Sequence, residues 1–297
     1  MTAPPRHHGI VVGVDGSPPS NVAIDWAARQ ASMRKLPLTI VHVIESPIGQ
    51  MWPEMQVPTA PELTAQLEKN GQAILRDARR IAEEAVGEAA IDVATEMIDA
   101  GVLSSLIDMS KEAEMVVVGC RGLGTIRRRL LGSVSAGLIR HAGCPVAVIH
   151  DDEPSTPERA TAPVVVGIDG SPASELATAI AFDQASRRGV QLVAVHAWSD
   201  FGVAELPGVE WSDVETEAAE ALAERLAGWQ ERYPDVTVQR VLVLDRPARQ
   251  LVEQSEKAQL TVVGSHGRGG FARMLLGSVS TAVAESARTP VIVARPS

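Results

Sequence analysis

Only two cysteines occur in 297 residues, Cys120 and Cys144. They are 24 positions apart, which is neither a zinc nor a redox spacing, and two thiols make no disulfide framework in a chain this long. No apolar run approaches the roughly 18 residues needed to cross a bilayer, so no membrane association is expected. The first residues, MTAPPRHHG, lack a charged segment followed by an apolar one, so no secretory signal is expected and the location expected is the cytoplasm. Basic charge is also scarce: the formal net charge is −10, which argues against a nucleic-acid partner. A local basic cluster, Arg127, Arg128 and Arg129, stands against that background. Hydrophobic residues make up 45 %, enough for ordinary cores, and the length fits two domains of about 150 residues.

What is there is written twice. IVVGVDGSPPS at Ile10–Ser20 returns as VVVGIDGSPAS at Val164–Ser174, and LTIVHVI around His42 returns as LVAVHAW around His196, both at an offset of 154. GCRGLGTIRRRLLGSVS at Gly119–Ser135 returns as GSHGRGGFARMLLGSVS at Gly264–Ser280, with ten of seventeen positions identical. CPVAVIH near Pro145 returns as TPVIVAR near Pro290, and these last two pairs are offset by 145. The second copy is therefore nine residues shorter (154 − 145) between its second strand and its glycine loop, and the irregular ESPIGQMWPEMQVPTAPE segment is the expected place. The charged, proline-containing join DDEPSTPERATAP reads as a linker. The expected organisation is residues 1–150 as one domain, 151–162 as linker and 163–297 as the second domain.

Within each copy, short β-branched runs such as IVVGV, LTIVHVI, MVVVG and PVAVI alternate with longer segments of helical character. Continuous apolar strands alternating with helices imply βαβ units and a parallel sheet covered on both faces. IDVATEM is polar enough to suit a sheet edge. Ser17-Pro18 and Ser171-Pro172 read as a helix N-cap followed by proline at the first helical position.

Asp15 and Asp169 close the first strands, and Gly119 and Gly264 close the fourth. Ligands of open parallel sheets bind beyond the strands' carboxyl ends where the order reverses, so an order of 3-2-1-4-5 would make aspartate and glycine loop flank one crevice. Glycines allow close backbone approach, and Gly132-Ser133 and Gly277-Ser278 precede helical stretches whose free N–H groups favour anions. Arg128, Arg129 and Arg273 could neutralise phosphate charge. The motif is not Walker A, because no lysine follows the last glycine. Nor is it the dinucleotide fingerprint, because it follows strand 4. Its spacing is G-x2-G-x9-G-S: Gly119, Gly122, Gly132, Ser133, and again Gly264, Gly267, Gly277, Ser278.

That spacing, with an aspartate ending strand 1, resembles the ATP-binding branch of the universal stress protein family in its tandem, actinobacterial form. The resemblance covers nearly the whole chain, once per copy. It implies two Rossmann-like domains of the adenine nucleotide alpha hydrolase type, each an open five-stranded parallel sheet of order 3-2-1-4-5 with helices on both faces. It further implies one ATP per copy, with Mg²⁺ riding on the phosphates. Asp15 and Val43 would contact one nucleoside, Asp169 and Ala197 the other. Gly119, Cys120, Gly122, Gly124, Thr125, Arg129, Gly132, Ser133 and Val134 would hold the first ribose and phosphates. Gly264, Ser265, Gly267, Gly269, Gly270, Gly277, Ser278 and Val279 would hold the second. Gly13 and Gly167 would let the base lie close to the strand.

Other residues read less specifically. Asp200 could reach a ribose hydroxyl or be a solvated loop acid. His42 and His196 read as hydrogen-bonded core residues rather than members of a catalytic set. His266 could touch phosphate, and Arg121 holds its place in the first copy. Trp52, Trp198 and Trp211 could cover the base or pack in the core. The last strands are expected at sheet edges, and the resemblance implies that they pair the copies with each other or form a homodimer. A stress-response regulator answering to an unidentified signalling partner is expected, rather than an enzyme. A slow ATPase or nucleotidyl-transfer enzyme on the same fold is the alternative, although no general base or metal-binding carboxylate pair is evident. A flavin-binding module related to electron-transfer flavoproteins is a third.

Overall fold

The computed structural model describes residues 8–45, 60–89, 91–122, 131–150, 157–197, 211–243, 246–267 and 276–296. The chain forms two compact units, Met1–Asp151 and Asp152–Pro296. In the first, strands β1 (Gly9–Gly13), β2 (Leu38–Ile44), β3 (Val93–Asp99), β4 (Ala113–Gly119) and β5 (Val146–Ile149) alternate with helices α1 (Pro18–Arg34), α2 (Ala60–Val86), α3 (Val102–Ser110) and α4 (Ser133–His141). All pairings are parallel: β1 lies between β2 and β4, β3 flanks β2, and β5 flanks β4. The order is 3-2-1-4-5. The winding reverses at β1, which sends α1 and α2 to one face and α3 and α4 to the other.

In the second unit one helical turn, α5 (Pro157–Ala160), lies inside the segment expected to be linker. Then follow β6 (Val164–Ile168), α6 (Pro172–Arg188), β7 (Leu192–Ala197), α7 (Trp211–Arg232), β8 (Val238–Val243), α8 (Pro247–Ser255), β9 (Leu260–Gly264), α9 (Ser278–Ser286) and β10 (Val291–Ala294). β6 pairs with β7 and β9, β7 with β8 and β9 with β10, all in parallel, which repeats the order of the first unit.

The central strands are continuous apolar runs because helices cover both faces. Ile10, Leu38, Ile40, Met115 and Leu138 are fully buried, each contributing about 1.5–3 kcal/mol relative to exposure. β3 and β8, at the sheet ends, are only half-buried, which is why their sequences carry charges. Part of the nine-residue difference is helical: α2 has 27 residues and α7 has 22, and the longer helix begins at Ala60, inside the proline-containing segment.

The first helix of each unit starts as its Ser-Pro pair dictates. Ser17 Oγ accepts the Ser20 N–H at 3.3 Å and Ser171 Oγ accepts the Ser174 N–H at 3.2 Å. The helices end alike, in a left-handed residue, but with different side chains: Lys35 (φ 54°) after α1 and Gly189 (φ 64°) after α6. His42 and His196 place Nδ1 at 2.8 and 2.7 Å from the carbonyls of Val14 and Ile168. They tie the tip of the second strand to the tip of the first.

Candidate functional site

Register brings the two motifs together. Val12 pairs with Val117 and Val166 with Val262, so in each unit an aspartate three residues on from Val12 or Val166 meets a glycine five residues on from Val117 or Val262. The contact is close. A Cβ on Gly122 would stand 2.5 Å from Asp15 Oδ2, and one on Gly267 would collide in the same way with Asp169 Oδ2. Only glycine leaves room for that carboxylate. The aspartates are also fixed from behind. Asp15 Oδ1 accepts the Ser17 N–H at 2.9 Å and its hydroxyl at 2.5 Å, and Asp169 Oδ1 accepts the Ser171 N–H at 2.9 Å. The turn between them requires φ of +81° at Gly16 and +80° at Gly170, the left-handed region that glycine enters at least cost.

Beyond each loop the chain returns to the strand tip. Gly132 N–H donates to the Cys120 carbonyl at 2.8 Å, and Ser135 Oγ donates to the same oxygen at 3.1 Å. Gly277 N–H and Ser280 Oγ repeat this on the Ser265 carbonyl at 2.7 and 3.0 Å. Helices α4 and α9 begin there with Gly132 and Gly277 as N-caps, and no side chain caps either first turn. α1 and α6, by contrast, are capped by their serines. α3 and α8 also lack such a cap, but α4 and α9 are the two that follow directly on the glycine loops meeting the aspartates.

These elements enclose one cavity in each unit. Bounded by the described residues, they measure about 350 Å³ in the first unit and about 590 Å³ in the second. Both lie in the range of small-molecule sites, roughly 300–1,000 Å³. In the first unit, Gly13, Asp15 and Val43 line the wall at β1 and β2, and Gly119, Gly122, Gly132, Ser133 and Val134 line the loop and helix wall. The second unit places Gly167, Asp169 and Ala197 against Gly264, Gly267, Gly277, Ser278 and Val279 in the same way.

Other candidates stand elsewhere. Cys120 and Ser265 are buried (2 % and 1 % exposed) and do not line the cavities. Their carbonyls hold the loop ends together. Gly13 and Gly167 face helix side chains: a Cβ would meet Leu106 at 3.1 Å and Leu251 at 2.9 Å, so helix packing also demands glycine there. Gly124, Thr125, Arg129, Asp200, Gly269 and Gly270 lie outside the described residues, as do Arg127, Arg128, Arg273, Trp52, Trp198 and the side chain of Trp211.

Several lining residues escaped the reading of the sequence. Ser20 and Ser135 in the first unit, and Ser174 and Ser280 in the second, reach the cavities. Their repetition in both copies was the available signal. The start of α3 contributes Val102 and Leu106, and the start of α8 contributes Arg246, Pro247, Arg249 and Leu251. Nothing local marks those positions. Arg121 and His266 line their respective cavities. No group of three or more His, Cys, Asp or Glu is gathered for a metal among the described residues, and no described helix is long and apolar enough to cross a membrane.

Comparison with known proteins agrees with the duplicated architecture. The model of the universal stress protein family matches residues 7–150 and again 161–295. The chain is 56 % identical over 298 residues to universal stress protein Rv2005c of Mycobacterium tuberculosis, covering 100 % of both. It is 55 % identical over 290 residues to universal stress protein Rv2623 of the same organism, covering 97 % of each. The crystal structure of a universal stress protein from Archaeoglobus fulgidus DSM 4304 superimposes with a TM-score of 0.71 at 18 % identity, over 98 % of this chain and 100 % of that one.

Proposed function

The chain belongs to the universal stress protein family, and on that premise we propose that it binds one ATP in each unit and serves as a nucleotide-responsive regulator rather than an enzyme. One observation carries the reading: in both units a fixed aspartate, a glycine that admits it and an uncapped helix N-terminus face the same cavity.

Each part has a task. The helix-start amides and the hydroxyls of Ser133 or Ser278 would take the phosphates, where unpaired N–H groups and the helix dipole favour negative charge. Asp15 or Asp169 would accept from ribose or base, held in place by the backbone of Ser17 or Ser171. Apolar contact with Val43, Val102 and Leu106, or with Ala197 and Leu251, suits the flat face of a base. Mg²⁺ would be carried by the phosphates. Support for a binding role over turnover comes from the single carboxylate that each cavity presents among the described residues, because metal-assisted phosphoryl transfer commonly uses more. Regulation then follows if two states of the protein differ in ATP affinity and partners distinguish them. The cytoplasm is the compartment this reading implies.

The test is the adenine nucleotide retained per chain after purification, or bound at saturation. Two equivalents are expected, falling to none in the Gly122→Glu, Gly267→Glu double variant, whose new side chains displace the aspartates and fill the cavities. Unchanged stoichiometry in that variant refutes the site. ATP turnover well above the solution rate, abolished by one side-chain change that preserves binding, moves the protein to the enzymes.

A further inference from the structure

The two cavities differ in charge on one wall. In the first unit the start of α3 carries the uncharged Gly101, Val102 and Ser104, of which Val102 lines the cavity, and the Val102 N–H is taken up by Glu45 Oε1 at 3.2 Å. At the corresponding positions in the second unit, 145 residues on, stand Arg246, Pro247 and Arg249. Both arginines line the cavity. The N–H that Val102 offers Glu45 has no counterpart at Pro247, which has none to offer. Arg249 is steadied by Glu253 at 2.7 Å, one helical turn on. Arg246 sits in the left-handed region (φ 58°, ψ 56°), where Gly101 is extended (φ −70°, ψ 131°). A strained backbone beneath a charged, cavity-lining side chain is the kind of outlier that accompanies binding sites.

We propose that the second unit's cavity, unlike the first's, accepts a nucleotide bearing a further phosphate group remote from its 5′-phosphate chain, received by Arg246 and Arg249. The inference rests on the nucleotide-binding reading of these cavities and adds a ligand class that separates them. The 5′-phosphates belong to the α9 start and Ser278, and the second anion meets the guanidinium pair on the α8 wall. In the first unit no arginine stands at those two positions to receive the same anion. Arginine is suited to this task because its planar fork can engage two phosphate oxygens at once.

The experiment uses the full chain with one site disabled at a time. Binding of adenosine 5′-monophosphate, adenosine 3′,5′-bisphosphate and adenosine 2′,5′-bisphosphate is measured calorimetrically. In Gly122→Glu, which leaves the second site, one of the bisphosphates is expected to bind about tenfold or more tightly than the monophosphate, the gain of a charge-assisted contact. That ratio should fall with added salt, since both arginines are exposed. It should also fall toward one when Arg246→Gln and Arg249→Gln are added. In Gly267→Glu, which leaves the first site, the ratio is expected to be about one. Equal ratios at the two sites, no preference at the second, or a preference indifferent to both arginines overturns the inference while the nucleotide reading stands. Failure of the monophosphate and of ATP to bind either site overturns the nucleotide reading itself, and the inference with it.

Discussion

Replacing Gly122 by alanine tests the site with a single methyl group. The added Cβ would stand 2.5 Å from Asp15 Oδ2, about 1 Å inside ordinary contact, so the carboxylate must turn. Turning it forfeits the bonds from Ser17 N–H and Oγ to Oδ1 and forces an unfavourable rotamer. Asp15 is half-exposed, so water recovers much of this in the unliganded protein, and a stability loss of about 1 kcal/mol is expected. That corresponds to roughly 2–4 °C in Tm. Binding loses more, because the displaced carboxylate and the pushed loop are both ligand contacts: about 2–3 kcal/mol, or roughly 30- to 150-fold in Kd for ATP. The assay is calorimetric titration in a Gly267→Glu background, so that only the first site reports. A double-mutant cycle isolates the cause: in an Asp15→Ala chain the obstacle is gone, and Gly122→Ala should cost little further in stability or affinity. Gly132→Ala serves as the folding control, since its Cβ would have 3.5 Å of clearance. Affinity within twofold of the parent in Gly122→Ala, or a penalty that persists undiminished without the Asp15 carboxylate, refutes the reasoning.

Lys35→Gly should stabilise the first unit by about 0.5–1 kcal/mol, because Lys35 holds a left-handed φ of 54° where the second unit uses Gly189, and Gly189→Lys should do the reverse; a fall in Tm on Lys35→Gly refutes this. Ser171→Ala removes both the α6 cap and the bond from Ser171 Oγ to the His266 carbonyl at 3.1 Å, so about 1–2 kcal/mol should be lost in urea unfolding, together with ATP affinity in the second unit alone. Burial pushes the Arg188 guanidinium down to about 10, well below the usual arginine range. The folded chain therefore holds that proton less tightly than the unfolded chain, and this group's contribution to stability rises as the pH climbs through about 10 and above. Arg188→Met should lack that rise in urea midpoints taken across pH 9–11, and parallel curves for the two proteins would contradict it.

The duplication, the strand runs, the Ser-Pro helix starts and the glycine-serine spacing were all legible in the sequence. Each is set by a short-range rule: β-branched runs for strands buried on two faces, an acceptor before a helix, glycine where φ is positive. The polar β3 was legible as an edge strand for the same reason, since alternation reports how many faces are covered. The candidate site was legible in part. Asp15 and Gly122 could each be singled out, because a repeated motif advertises its members.

What only the tertiary structure decided is who meets whom. The collision course between the Gly122 Cα and the Asp15 carboxylate depends on the β1–β4 register, which no local signal encodes. The same holds for Cys120 and Ser265, which lie in the motif yet turn inward and present their carbonyls to Gly132 and Gly277. It holds most for Arg246 and Arg249, which belong to no motif and line the second cavity together with the start of α9, the helix beside which α8 packs. A sequence fixes which residues can form a strand end or a helix start. The parallel sheet, by bringing distant ends level, determines which of them share a cavity.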